Sequence, residues 1–156
     1  VVIASGGVGS LYEYHTNART ISADMQGICL SHGIELADME MMQFHPTAFV
    51  LSHAVRKQLL SESLRGEGAQ IVDEKGRRFV FDYHPSGELA PRDVVSRAIF
   101  DYKQKTGLEV YLDLSSFEPK HFKNGAERGM MPLVSKKNHV FRLISQQVLL
   151  NIGVLC

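Results

Sequence analysis

The sequence predicts an α+β fold, and three observations carry that prediction. One strongly amphipathic stretch lies near residues 91–105, short β-type runs flank it, and no regular strand–helix–strand alternation follows residue 35. The chain has 156 residues, 44% hydrophobic and 22% charged, enough to bury a core and too apolar for a disordered segment. Its 17 basic and 17 acidic side chains cancel, so no global field selects nucleic acid or an anionic membrane, and neither is expected as a partner. Apolar runs fall far short of the roughly 20 residues that span a bilayer. Cys29 and Cys156 make neither a disulfide framework nor a zinc set, so the expected setting is reducing and cytoplasmic.

Val1-Val2-Ile3 reads as the end of a buried strand entering a glycine turn at Ala4-Ser5-Gly6-Gly7. So short a strand makes no sheet alone, and its partners are expected in sequence outside this chain. With no initiator Met at one end and an apolar run, Val148 to Cys156, at the other, the chain is expected to be an internal piece of a longer protein.

Leu11 to Thr20 reads as a loop. From Ser22 the positions Met25, Ile28, Cys29 and Leu30 follow helical spacing, with Gly33 placed for a C-terminus. Asp38 to Phe44 is expected to be extended up to His45-Pro46, because a residue before proline avoids the helical region. Leu59 to Leu64 has short helical character and stops at Gly66 and Gly68. Gln70-Ile71-Val72 and Arg78-Phe79-Val80 flank Asp73-Glu74-Lys75-Gly76, which predicts a hairpin. Pro91 to Lys105 is the clearest helix, with Val94, Val95, Ala98, Ile99 and Tyr102 as its stripe and Gly107 beyond it. Val110-Tyr111-Leu112 is a short strand, and Glu118 to Asn124 a further helical turn.

Four motifs carry chemistry, each beside a plainer account. Ala4-Ser5-Gly6-Gly7 lets backbone approach a ligand, or is an ordinary tight turn. In Gln43-Phe44-His45-Pro46-Thr47 the imidazole donates to a carboxylate, adding charge if cationic, or satisfies local backbone. Ser61-Glu62-Ser63-Leu64-Arg65-Gly66-Glu67-Gly68 gathers hydroxyls, carboxylates and an arginine, or holds a solvated i,i+3 ion pair between Glu62 and Arg65. In Glu88-Leu89-Ala90-Pro91-Arg92-Asp93 a cation sits at a helix N-terminus, where the dipole disfavours it. Arg92 is then either functional or neutralised by Glu88 or Asp93. The seven histidines form no metal-ligand spacing, so no metal is expected.

In this order, with Thr16-Asn17 and Leu112-Asp113-Leu114-Ser115, the motifs resemble the flavoprotein family of succinate dehydrogenase, fumarate reductase and L-aspartate oxidase over about residues 1–124. The proline of Glu-Leu-Ala-Pro-Arg-Asp places the resemblance nearer the L-aspartate oxidase branch, with a succinate or fumarate flavoprotein subunit as the alternative. A dicarboxylate-binding module without redox chemistry is a third reading. The resemblance implies a remnant of an FAD-binding domain over 1–40 and a capping domain closing on substrate over 41–124. Residues 125–156 depart from the family pattern and are expected to be a divergent or frame-shifted tail.

The resemblance also implies roles. Ala4, Ser5, Gly6, Gly7, Asn17 and Asp24 match FAD-contacting positions, although Ser22-Ala23-Asp24-Met25 lacks both glycines of the family's Thr-Gly-Asp-Gly segment. His45, Thr47, Ser61 and Glu62 match or adjoin positions that hold the dicarboxylate, and Arg92 matches the arginine that moves a proton at the substrate carbon. The implied reaction takes L-aspartate to iminoaspartate with FAD, and oxygen or fumarate as acceptor. The product feeds a downstream quinolinate synthase toward NAD. The isolated chain is expected to be an incomplete oxidase.

Overall fold

The structure is a computed structural model, and it describes residues 2–49, 58–116 and 140–143. Its main core is a three-stranded antiparallel sheet covered by one long helix. Strands β3 (Gln70–Asp73), β4 (Val110–Asp113) and β5 (Val140–Arg142) lie in the order β3-β4-β5, with Ile71 opposite Leu112 and Leu112 opposite Phe141. Helix α3 (Arg92–Thr106) lays Val95, Ala98, Ile99 and Tyr102 into the core with Ile71, Val110, Leu112 and Leu143. This is the stripe that the sequence predicts, because positions three and four apart share one face. Gly107 ends α3 with φ of 70°, a left-handed conformation that glycine adopts without a Cβ penalty.

Two expectations are corrected. Gln70–Asp73 is a strand, but Phe79–Asp82 is a 3-10 turn, so the two do not form a hairpin. Asp73 does turn the chain, its carboxylate accepting from the backbone N–H groups of Lys75 and Arg77 at 2.8 and 2.9 Å. β3 then takes its partner from β4, forty residues on in sequence, because Phe79 is needed in the core: it stacks on Tyr102 at 3.9 Å between ring centroids. Tyr102 in turn donates to Asp73 at 2.7 Å.

The helix expected after Ser22 forms as α1 (Asp24–Ser31). Gln26 and Cys29 are buried, while Ile28 and Leu30 are exposed. Asp38 to Phe44 is not a strand: the Met41 N–H donates to the Asp38 carbonyl in a tight turn, with Asp38 at φ of 56°. Val2 and Ile3 pair with no strand among the described residues. The helical turn expected at Glu118 to Asn124 lies outside the described residues, as does nearly all of the tail.

Two smaller features complete the frame. β1 (Ala48–Phe49) pairs antiparallel with β2 (Gln58–Leu59), and α2 (Glu62–Gly66) follows directly. Residues near the start gather on Val8, with Ala23, Met39 and Met42 packed against it. No helix among the described residues is long and apolar enough to cross a membrane.

Candidate functional site

Three sequence segments converge at the N-terminus of α3. Pro91 fixes the approach to that helix, and Arg92 is its first residue. Ser61 caps α2, its hydroxyl accepting from the Ser63 N–H at 3.3 Å, so Glu62 stands on the first turn of α2. The segment 43–47 crosses both and is tied to α3 by Ser96, whose hydroxyl donates to the Phe44 carbonyl at 3.0 Å.

Glu62 is the centre of this group. Arg92 donates from Nε to Glu62 Oε2 at 2.7 Å and its second terminal nitrogen lies 2.6 Å from the same oxygen. Arg65 donates to Glu62 Oε1 at 3.1 Å. Arg92 also reaches the Gln43 side-chain oxygen at 3.3 Å. The hydrogen bond from Arg92, aided by the charge of Arg65, holds the Glu62 carboxyl below its ordinary value despite some desolvation. Glu88 and Asp93, the neighbours expected to neutralise Arg92, are engaged elsewhere: Glu88 with Arg78 and Asp93 with Arg97. The Glu62–Arg65 ion pair exists, but it is not the solvated pair its sequence suggests, because the Arg65 side chain is only 1% exposed.

His45 is buried, and its backbone neighbour determines its chemistry. The Thr47 N–H donates to His45 Nδ1 at 3.2 Å, so Nδ1 is the unprotonated nitrogen and Nε2 carries the hydrogen. Burial, reinforced by the charges of Arg92 and Arg65, pulls the imidazole pKa down to about 4. His45 is therefore neutral at pH 7, which corrects the cationic option, and it presents an N–H donor on the ring edge opposite Thr47. Thr47 is wholly buried and donates its hydroxyl to the Leu60 carbonyl at 2.8 Å, joining this segment to the start of α2.

The structure thus brings His45, Thr47, Glu62 and Arg92 together, with Gln43 and Arg65, motif members to which the sequence assigns no site role, beside them. Ser61 borders them, its hydroxyl engaged by Ser63. Arg65 carried a usable signal, since an arginine three residues after a glutamate on a glycine-terminated helix can turn inward. Gln43 carried none, because its role depends on a residue 49 positions away.

The positions that the resemblance assigns to FAD lie near the smaller cluster in sequence. Ala4, Ser5 and Gly6 are exposed, and Gly6 takes φ of 84° with its carbonyl held by Gln26 Nε2 at 2.8 Å. Asn17 packs on Gly9, where a Cβ would lie 1.6 Å from Asn17 Nδ2. Asp24 heads α1, accepts from the Ser22 hydroxyl at 2.8 Å and is exposed. Among the described residues no group of histidine, cysteine or carboxylate side chains could hold a metal ion.

Residues 1–130 match the model of the FAD binding domain family. The chain belongs to that family. It is 50% identical over 119 residues to an L-aspartate oxidase of Nostoc sp., covering 73% of this chain and 20% of that protein. An L-aspartate oxidase of Bacillus subtilis is 47% identical over 116 residues, covering 74% of this chain and 22% of its own length. The chain therefore spans about a fifth of the length of these curated relatives. Among solved structures, an E. coli quinol fumarate reductase superposes with a TM-score of 0.73 at 30% identity, over 94% of this chain and 28% of that one. A second quinol–fumarate reductase gives 0.73 at 32% identity, over 90% and 28%. The family resemblance read from the ordered motifs is borne out.

FAD is the cofactor this membership implies, and the residues present fit it. The Nδ2 of Asn17 and the Nδ1 of His15 are buried without a hydrogen-bond partner, and a buried polar atom left alone costs about 1–3 kcal/mol. Asn17 packs on Gly9, two residues after the Ala4-Ser5-Gly6-Gly7 turn, of which Ala4, Ser5 and Gly6 are exposed and Gly7 is buried.

Proposed function

We propose that this chain is the part of an FAD-dependent L-aspartate oxidase that closes on the dicarboxylate and handles its proton. In this reading residues 1–40 end the FAD-binding part, where Ala4, Ser5, Gly6, Gly7, Asn17 and Asp24 hold the cofactor. Residues 41–124 form the cap. FAD, when bound, supplies the two-electron redox chemistry. The observation that carries the reading is the Arg92–Glu62 pair beside a neutral His45.

Each residue then has a defined task. His45 donates from Nε2 to a substrate carboxylate without needing a charge of its own. Thr47 fixes the imidazole by its backbone N–H, and Ser61 sets where α2 begins. Arg92 presents a forked cation to the bound dianion. Oxidation of an amine to an imine releases a proton as well as a hydride equivalent. Glu62, 2.6 Å from Arg92, is the carboxylate positioned to receive that proton through the guanidinium and pass it to water, since 46% of its side chain is exposed.

The higher identity to L-aspartate oxidases than to the fumarate reductase structures supports aspartate over succinate. The test uses the full-length protein carrying this sequence, purified with FAD. L-aspartate added under nitrogen is expected to bleach the flavin absorbance stoichiometrically, with iminoaspartate products in solution. Bleaching by succinate and not by aspartate would replace this reading with the dehydrogenase one. Saturable binding of oxaloacetate without any bleaching would leave a binding module.

A further inference from the structure

We propose that Arg78 and Glu88, which lie outside the dicarboxylate group, are positioning residues that fix Arg65 and Arg92 on the two oxygens of Glu62. The inference rests on the reading above for its catalytic meaning and on geometry for its content.

Glu88 is 4% exposed in its side chain and is gripped from two directions. Arg78 donates Nε to Oε1 at 3.0 Å and a terminal nitrogen to Oε2 at 2.8 Å, a two-pronged fork. The Ile71 N–H of β3 donates to Oε1 at 3.2 Å. Burial works to raise the Glu88 carboxyl, but these donors outweigh it and keep it below its ordinary value. The guanidinium of Arg78 also lies 4.8 Å from the Phe81 ring, so the fork cannot rotate freely.

From this anchor the strain-free path to the site is short. The Glu88 carbonyl accepts from Arg65 at 2.7 Å, and that bond, with Glu62, accounts for both terminal nitrogens of Arg65. Arg65 Nε is buried without a partner, so the guanidinium depends on these two contacts for its place. Four residues after Glu88, Arg92 opens α3. A single clamped residue therefore locates one arginine through its carbonyl and the other through the chain. Gly87 tightens the link: it takes φ of 51°, and a Cβ there would lie 2.5 Å from Phe81 Cζ.

The experiment compares Glu88→Gln and Arg78→Lys with the unaltered full-length holoenzyme. Glu88→Gln keeps size and part of the hydrogen bonding but breaks the charged fork. It is expected to lower kcat about tenfold to a hundredfold, with KM changed by less than about threefold and FAD content unchanged. Arg78→Lys, which keeps one charged contact, is expected to fall between. NMR titration of His45, whose imidazole senses the charges of Arg65 and Arg92, is expected to show a displaced midpoint in Glu88→Gln. This readout is independent of turnover, so it separates failure of the inference from failure of the oxidase reading. An unchanged His45 midpoint with unchanged kcat overturns the inference, as does activity lost only in proportion to FAD content or melting temperature.

Discussion

The Thr47 backbone N–H donates to Nδ1 of His45 at 3.2 Å, and this one bond decides which face of the imidazole is available to a ligand. A donor pointed at Nδ1 excludes a proton there. The ring must therefore offer N–H, and not a lone pair, at Nε2.

The pH dependence of stability follows from the same residue. His45 is held to about 4 in the folded chain, against about 6.5 when exposed. Between those values the unfolded chain binds the proton and the folded chain does not, so stability falls as pH drops from about 6.5 toward 4. Below 4 both states are protonated and this contribution changes no further. The difference amounts to roughly 3 kcal/mol across the window. Urea unfolding at pH 7.5 and pH 4.5 checks it, and His45→Gln is expected to flatten the dependence.

Removing the charge of Glu62 strands a buried cation. In Glu62→Gln the guanidinium of Arg65, 1% exposed, loses its carboxylate partner. The cost is expected at about 1–3 kcal/mol, reduced from the fully buried case because water reaches the Glu62 side of the pair. Thermal unfolding measures it, and Glu62→Asp is expected to recover less than half.

Arg92→Lys separates function from folding. Arg92 is 38% exposed, so replacing its fork by a point charge is expected to shift stability by less than about 1 kcal/mol. Activity of the full-length enzyme is expected to drop by at least about a hundredfold, because lysine's compact ammonium lacks the planar fork that reaches Glu62, Gln43 and a substrate at once. Steady-state kinetics with L-aspartate, alongside a melting curve, gives both numbers.

Gly9→Ala tests the flavin side. The new methyl would sit 1.6 Å from Asn17 Nδ2 and must push that side chain away. FAD affinity, followed by flavin fluorescence on titration into the apoprotein, is expected to weaken about tenfold or more. Gly27→Ala, which meets nothing within 4 Å, is the matched control.

Much of this molecule is legible in its sequence where local rules and burial agree. Helix α3 is such a case: its stripe, its proline entry and its glycine exit all give the same bounds within a residue. Arg92 was legible for the opposite reason, as a cation where the helix dipole disfavours one. The hairpin failed because Phe79 gains more by stacking on Tyr102 in the core than by pairing across a turn. α1 forms where the spacing predicts it, but apolar spacing does not state which side is covered; Ile28 and Leu30 are exposed there. Glu88 and Asp93, the neighbours that offered to neutralise Arg92, do not pair with it, since nearness along the chain says nothing about where Glu62 and Arg78 are delivered.

The ties at Gln43–Arg92 and Phe44–Ser96 close chain separations of 49 and 52 residues. Each tie is one hydrogen bond, too little by itself to offset closing so long a loop before α3 and its sheet, which close a similar separation with a whole strand pairing and a core, exist as a platform. The site is accordingly expected to form late in folding, outside the nucleus. Substitutions at Gln43 or Ser96 are expected to leave the refolding rate nearly untouched while hastening unfolding, the pattern of low-φ positions.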